Sequence, residues 1–497
     1  MGGVIGLGVT LGEGGMGGVA SLDTDGIVLS SFFACKDAGR LKRIATPNIT
    51  TITALILLVL RLCLYISMIF HLYVSNMHHY ISKSNIVNSY RILLEFILLT
   101  TFVGIPLLVI PQATLPAELH KIQIFHSVIE LLGLLTIPLL IFDLNSLKKA
   151  AGMLRSSLFL FLLTFLSIIS ISAIFGVDPM KSLIGNYWRN DGLITLAHLV
   201  LFAFLTGLLW TKTLRDKALL TISIAAIVNC FVVLGQGFAF TALGWTDLND
   251  WGNAFGATFN QPVFLAGYLA TTLPLVGYYF LQRSKILAIA ICTLLIITIA
   301  ITQTWGALLA GLIGLLFIAF QNQKNKKALI AIISFVLFSA LVIGTLHTLK
   351  NARLEADNRV RIGVSLFQAG SSRPLLGWGW ANIDHAFAST NWPFHREEDI
   401  YLDKAHSHLL EFFVTTGILG LLLYVGMYYK MFQALHLVKH QSLLENQAFY
   451  SAVIASLVSY LIFTQTNITS IATEMIFWCI FGLVSSHRLQ KTAFKSK

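Results

Sequence analysis

Apolar runs of 16 to 24 residues, separated by polar connections, recur along almost the whole chain. That length crosses roughly 30 Å of bilayer hydrocarbon when helical. The runs fall near 51–73, 91–110, 124–143, 156–175, 192–210, 217–240, 262–281, 285–302, 305–320, 328–348, 408–429, 447–465 and 469–486. None shows the two-residue alternation of a barrel strand. A backbone in lipid must satisfy its own hydrogen bonds, so the expected fold is all-α. It is a polytopic transmembrane helical bundle of about twelve spans, or thirteen if 51–73 is a true span.

The polar connections carry an orientation signal. Basic residues gather in alternate ones: Lys148, Lys149 and Arg155, then Lys212, Arg215 and Lys217, then Arg283 and Lys285. Lys324, Lys326 and Lys327, then Lys430 and Lys439, and the tail Arg488, Lys491, Lys495 and Lys497 continue the series. These connections are expected in the cytoplasm, and the long stretch 349–407 then faces outward. Thirteen spans with the tail inside put the N-terminus outside, although Lys36, Arg40, Lys42 and Arg43 precede the first span. Residues 1–50 are Gly-rich, aperiodic and without a signal-peptide pattern, and read as disordered or as an extension ahead of a start at Met77. Starting at Met77 leaves twelve spans with both ends inside, whereas 51–497 otherwise form one membrane domain.

Composition agrees with this class. Hydrophobic residues are 56% of 497 and charged residues 11%, which excludes an ordinary soluble protein. The net charge of +11 is mostly the cytoplasmic bias, so no nucleic-acid partner is expected. Cys35, Cys63, Cys230, Cys292 and Cys479 form no CxxC pair and read as small buried apolar side chains. Gly6–Gly18 lacks the strand before it and the Lys-Ser/Thr after it that a phosphate-binding loop needs.

Candidate chemistry concentrates in the outward connections. Asn186-Tyr187-Trp188-Arg189-Asn190-Asp191-Gly192 opens a span. Arg189 can snorkel to lipid phosphates or clamp a phosphate bidentately, a task for which a planar guanidinium suits. Asp191 can hold Arg189 or cap the following helix. Asn260 before Pro262 reads as a helix cap. Arg359 and Arg361 lie two apart, so on a helix they diverge by about 200° and only one need face a common site. Arg373-Pro374-Leu375-Leu376-Gly377-Trp378-Gly379 reads as a backbone turn, with Arg373 structural. His406, directly before a span, can take a proton near neutral pH. His406 and His408 are too close for an i, i+4 metal pair, so no metal and no cofactor is expected. Trp188, Trp245, Trp251, Trp305, Trp378, Trp380 and Trp392 crowd the outward side, compatible with platforms for sugar rings.

These motifs resemble the O-antigen ligase and O-antigen polymerase superfamily of bacterial envelope glycosyltransferases. The matching pieces are 187–193, Phe259-Asn260-Gln261-Pro262 with 263–266, Asn358-Arg359 followed by 373–379, and Asp403-Lys404-Ala405-His406-Ser407-His408 running into Gly417-Ile418-Leu419-Gly420. The related region is expected over about 285–425. The resemblance implies an enzyme of the bacterial cytoplasmic (inner) membrane with an extracytoplasmic site. It would move a glycan from a polyprenyl diphosphate carrier, in a membrane lipid setting, to a glycan, lipid or protein hydroxyl acceptor. Inversion, without metal or nucleotide sugar, is the implied course. By position, Arg189 and Arg359 would hold the diphosphate and His406 would be the base. Arg361, Lys404, Asp191, Asn260 and Trp188 are the further substrate-binding candidates. Relatives often carry Ser-Arg-Gly where this chain has Thr304-Trp305-Gly306, a missing cation that Arg361 or Lys404 could supply, and Ser407 replaces a common asparagine.

A polymerase or a protein O-oligosaccharyltransferase fits the same residues as a ligase. The rival of a different class is a secondary transporter or flippase. Such proteins place ionisable residues at the bilayer midplane, where this chain offers mainly Arg61 and Glu130.

Overall fold

The computed structural model describes residues 83–109, 117–243, 255–321, 359–390 and 402–487, all within one unit, 65–497. The expected spans 51–73 and 328–348, the segment 1–50, Met77, Trp245, Trp251 and Trp392 lie outside the described residues. In chain order the helices are α1 (Lys83–Leu107), α2 (Ala117–Phe142), α3 (Leu144–Leu154), α4 (Ser157–Ile174), α5 (Pro179–Ile184), α6 (Leu193–Leu209) and α7 (Lys212–Leu243). They continue with α8 (Pro262–Leu281), α9 (Lys285–Ile301), α10 (Trp305–Gln321), α11 (Ile383–Ala388), α12 (His408–Gln441), α13 (Leu444–Phe463) and α14 (Ile471–His487). Residues 359–372 are also helical, and no strand occurs among the described residues.

Seven helices (α1, α2, α4, α7, α8, α12 and α13) are long and apolar enough to cross a membrane, and α6, α9, α10 and α14 are shorter apolar helices. Each expected span that falls on described residues lies on one of these. Where the ends are local, their chemistry is plain. Ser156 and Ser284 cap α4 and α9 by accepting from Phe159 N and Leu287 N. Pro262 takes the first turn of α8, where its missing N–H costs nothing. The residue at the cap position is Gln261, and Asn260 instead ends a short 3-10 turn in the left-handed region, so the expected Asn260 cap is not formed.

Helix α8 occupies the centre, packed by α7, α9, α10 and α13. Helices α6 and α14 lie against each other at small residues: a Cβ on Gly207 would stand 2.5 Å from the Gly482 carbonyl oxygen. Between apolar helices in lipid, such close backbone approach supplies the packing that a hydrophobic drive cannot.

Helix α12 carries the feature that shapes one end of the bundle. Gly417 breaks it with φ 65° and ψ −167°, a combination that essentially only glycine adopts. The freed backbone groups are met by the 373–379 turn. Trp378 N and Gly379 N donate to the Val414 and Thr415 carbonyls at 2.9 Å, and Ile418 N donates to the Pro374 carbonyl at 2.8 Å. Arg373 stacks on Trp378 at 4.4 Å, so this arginine staples the turn. Gly417→Ala puts a Cβ onto the Leu375 carbonyl and strains the left-handed backbone. It is expected to cost about 1–3 kcal/mol, read as a lower melting temperature of the purified protein.

Candidate active site

The kink in α12 matters because the segment leading into it brings distant charges together. Residues 402–407 run extended into Ser407, whose hydroxyl caps α12 by accepting from Leu410 N and also donates to Gln465 Oε1 at 3.2 Å. His408 N donates to the Thr464 carbonyl at 2.9 Å, pinning the start of α12 to the 464–470 connection. His406 itself has φ 54°, a left-handed turn that sets the direction of its ring.

From the other side comes the connection between α5 and α6. Asn186 organises it: its side-chain carbonyl accepts from Trp188 N, and its backbone N donates to Asp191 Oδ1, both at 2.9 Å. Asn190 turns through φ 49°. This tight loop presents Arg189 and Asp191 toward 402–407. Arg189 Nε donates to Asp403 Oδ2 at 2.5 Å, and its guanidinium lies 5.7 Å from the Phe264 ring. Lys404 Nζ sits 2.5 Å from Asp191 Oδ2 and 2.6 Å from Glu411 Oε1. Asp191 does not cap α6, whose cap residue is Gly192; its carboxylate pairs directly with Lys404 and supports the Arg189 charge through space.

Arg189, Asp191, Lys404, His406 and Glu411 line one cavity of about 140 Å³. Its remaining walls come from α2, α4, α6, α12, α13 and α14, with Trp380 and the 467–470 connection. Arg359 stands at the edge, donating from Nη1 to the Thr466 carbonyl at 3.2 Å beside the cavity residue Asn467. Gly306 abuts Thr466 and Asn467, so the break around Trp305 also meets this connection. Arg361, Trp188 and Asn260 do not line the cavity; Trp188 is half exposed against Tyr187.

The charges explain one another. Burial alone would raise the Asp191 carboxyl, but the Lys404 ammonium, aided by Asn186 N–H, holds it below its ordinary value. Burial would likewise lower Lys404, and the two carboxylates overcome this and hold it above its ordinary value. Arg189 is raised in the same way, burial being outweighed by Asp403. His406 goes the other way. Burial first, then the Arg359 guanidinium, hold its imidazole below 6.5, against a smaller opposing pull from Asp403. A neutral imidazole thus sits beside guanidinium and ammonium groups, the arrangement of a base facing an anion site.

Three groups of this site had no assigned role in the sequence: Asp403, Glu411 and Glu118. Asp403 and Glu411 stand in the His406 motif, and the charges around Lys404 were the available signal. Glu118 is an acid beside an apolar span, the default pointer to function in membrane segments. Glu130, the acid expected near the bilayer midplane, pairs with His198 at 2.9 Å, and His198 stacks on His126. Among the described residues, no three His, Cys, Asp or Glu side chains converge as a metal would require.

Residues 290–425 match the family model described as O-antigen ligase. The matched stretch includes Arg359, Lys404, His406 and the Gly417 kink, while Arg189 and Asp191 lie ahead of it. No curated protein matches the chain.

Proposed function

For a chain that carries the O-antigen ligase region, we propose transfer of a glycan from a polyprenyl diphosphate carrier to an acceptor hydroxyl, at the outer face of a bacterial cytoplasmic membrane. The observation that carries this reading is the meeting of Arg189, Lys404 and His406 on one cavity, with Arg359 near enough to act on the imidazole. Neutral His406 takes the acceptor hydroxyl proton. The oxygen attacks the anomeric carbon as the bond to the diphosphate oxygen breaks, with inversion. The bonding pair leaves on the polyprenyl diphosphate, where Arg189 and Arg359 meet the growing negative charge. Preorganised cations in a partly dehydrated site are the largest kind of catalytic term. Arg189 spends Nε and Nη2 on Asp403, which leaves Nη1 for a phosphate oxygen. No metal ion has a step in this course.

Ligase, polymerase and protein O-oligosaccharyltransferase differ in the acceptor alone, so the test varies it. Purified protein is incubated with lipid-linked glycan extracted from the native host, and with lipid, glycan or protein acceptors, with and without chelator. Acceptor-dependent release of polyprenyl diphosphate, insensitive to chelator, is the expected result. Release with no acceptor, or loss on chelation, overturns it.

The imidazole predicts its own pH profile. Because His406 is held below 6.5 in the free protein, the acid limb of kcat/KM is expected below that pH. Arg359→Gln removes a charge that opposes protonation, so the limb of its residual activity should move upward. An unmoved limb would separate Arg359 from the base.

A further inference from the structure

The cavity has a second wall that the chemistry above leaves idle. Glu118, in the first turn of α2, and Glu474, in the first turn of α14, both line it. Carboxylates on this side repel a diphosphate, so they are there for something else. Glu474 Oε1 accepts from Tyr460 OH at 2.6 Å. Glu118 is 7% exposed, and its Oε1 accepts from Ile471 N. Its Oε2 is buried and has no hydrogen-bond partner among the described residues. The neighbouring cations reach Glu118 only through space: Lys121 Nζ donates its hydrogen bond to the Pro106 carbonyl at 3.0 Å, and Arg189 donates to Asp403.

A buried carboxyl oxygen without a donor costs about 1–3 kcal/mol or more, so such an atom on a cavity wall marks a place where a bound water or ligand group donates. Glu118 Oε2 is an open carboxyl oxygen, and the Glu474 carboxyl adds further acceptor lone pairs on the same wall. The matching ligand therefore presents several O–H donors close together. Trp380, partly exposed, lines the same cavity and offers a ring face on which the C–H face of a sugar can pack, backed by the stacked pair Phe412 and Tyr424.

We propose that Glu118 and Glu474 form a sugar-hydroxyl subsite opposite the cationic wall, fixing the ring whose anomeric carbon or hydroxyl reacts. This rests on the glycan-transfer reading and names the residues that recognise the sugar. The ring belongs either to the donor glycan or to the acceptor, and the experiment separates the two.

Glu118→Gln keeps the acceptor for Ile471 N but turns Oε2 into a donor. Glu474→Gln does the same beside Tyr460, and serves if the first variant fails to fold. Three probes are titrated by tryptophan fluorescence: bare polyprenyl diphosphate, the lipid-linked glycan extracted from the native host, and the free glycan released from it by mild acid. KM for the acceptor is measured alongside. The expected result is a loss of about tenfold or more in binding of the lipid-linked and free glycan, with bare polyprenyl diphosphate unaffected. A rise confined to acceptor KM also supports the subsite and assigns the acceptor sugar to it. Equal weakening of all three probes, or no change in any reading, overturns the subsite. If the wild type binds neither lipid diphosphate, the transfer reading fails, and the free-glycan titration still decides the subsite.

Discussion

His406→Ala is expected to lower kcat by about 10²–10⁴-fold, the usual contribution of a positioned general base. Binding of polyprenyl diphosphate should stay at the wild-type level, and the melting temperature should fall by no more than the turn at position 406 costs an alanine. The separation is possible because the His406 ring makes no hydrogen bond among the described residues, so removing it strands no partner. Its backbone is the complication, since φ 54° strains an alanine. His406→Asn is the matched control: asparagine tolerates the left-handed region but is no base near neutral pH. Both variants should lose the same rate. If His406→Asn transfers glycan as fast as the wild type, the imidazole is not the base, and the cationic groups alone carry the reaction.

The bundle was legible in the sequence because the rule behind it is coarse. A run long enough to cross hydrocarbon must be helical, and helices α4 or α12 need only length and apolarity to be foreseen. Arg189, Lys404 and His406 were legible as cationic or titratable groups beside span ends, and the cavity does gather them. Their partners were not. Nothing in the spacing says that Asp191 faces Lys404 across 213 positions or that Arg189 takes Asp403, since pairing depends on how α5, α6 and α12 are docked. The Gly417 break was equally hidden: it lies inside an apolar run and is recognisable only by the 373–379 turn that fills it. Glu118 was passed over because one acid at a span end looks solvated until α14 is laid over it.

The second large effect is expected at Lys404, and there stability and chemistry must be pulled apart. Its ammonium lies between the Asp191 and Glu411 carboxylates, and the three side chains are only 10–20% exposed. Lys404→Met leaves two carboxylates facing each other with nothing between them. Removing one partner from a buried ionic group typically costs about 3–5 kcal/mol, so this variant should melt well below the wild type or fail to purify. Replacing the whole triad by neutral groups is often close to neutral for stability. Lys404→Met combined with Asp191→Asn and Glu411→Gln should therefore recover most of the melting temperature, since the amide oxygen that Asp191→Asn introduces can still accept from Asn186 N as the carboxylate does. Glycan transfer should stay lost in this recovered protein if the Lys404 charge assists the leaving diphosphate. Wild-type transfer by the triple variant would reduce the triad to a structural clasp, and wild-type melting of Lys404→Met alone would mean that the three charges are not coupled.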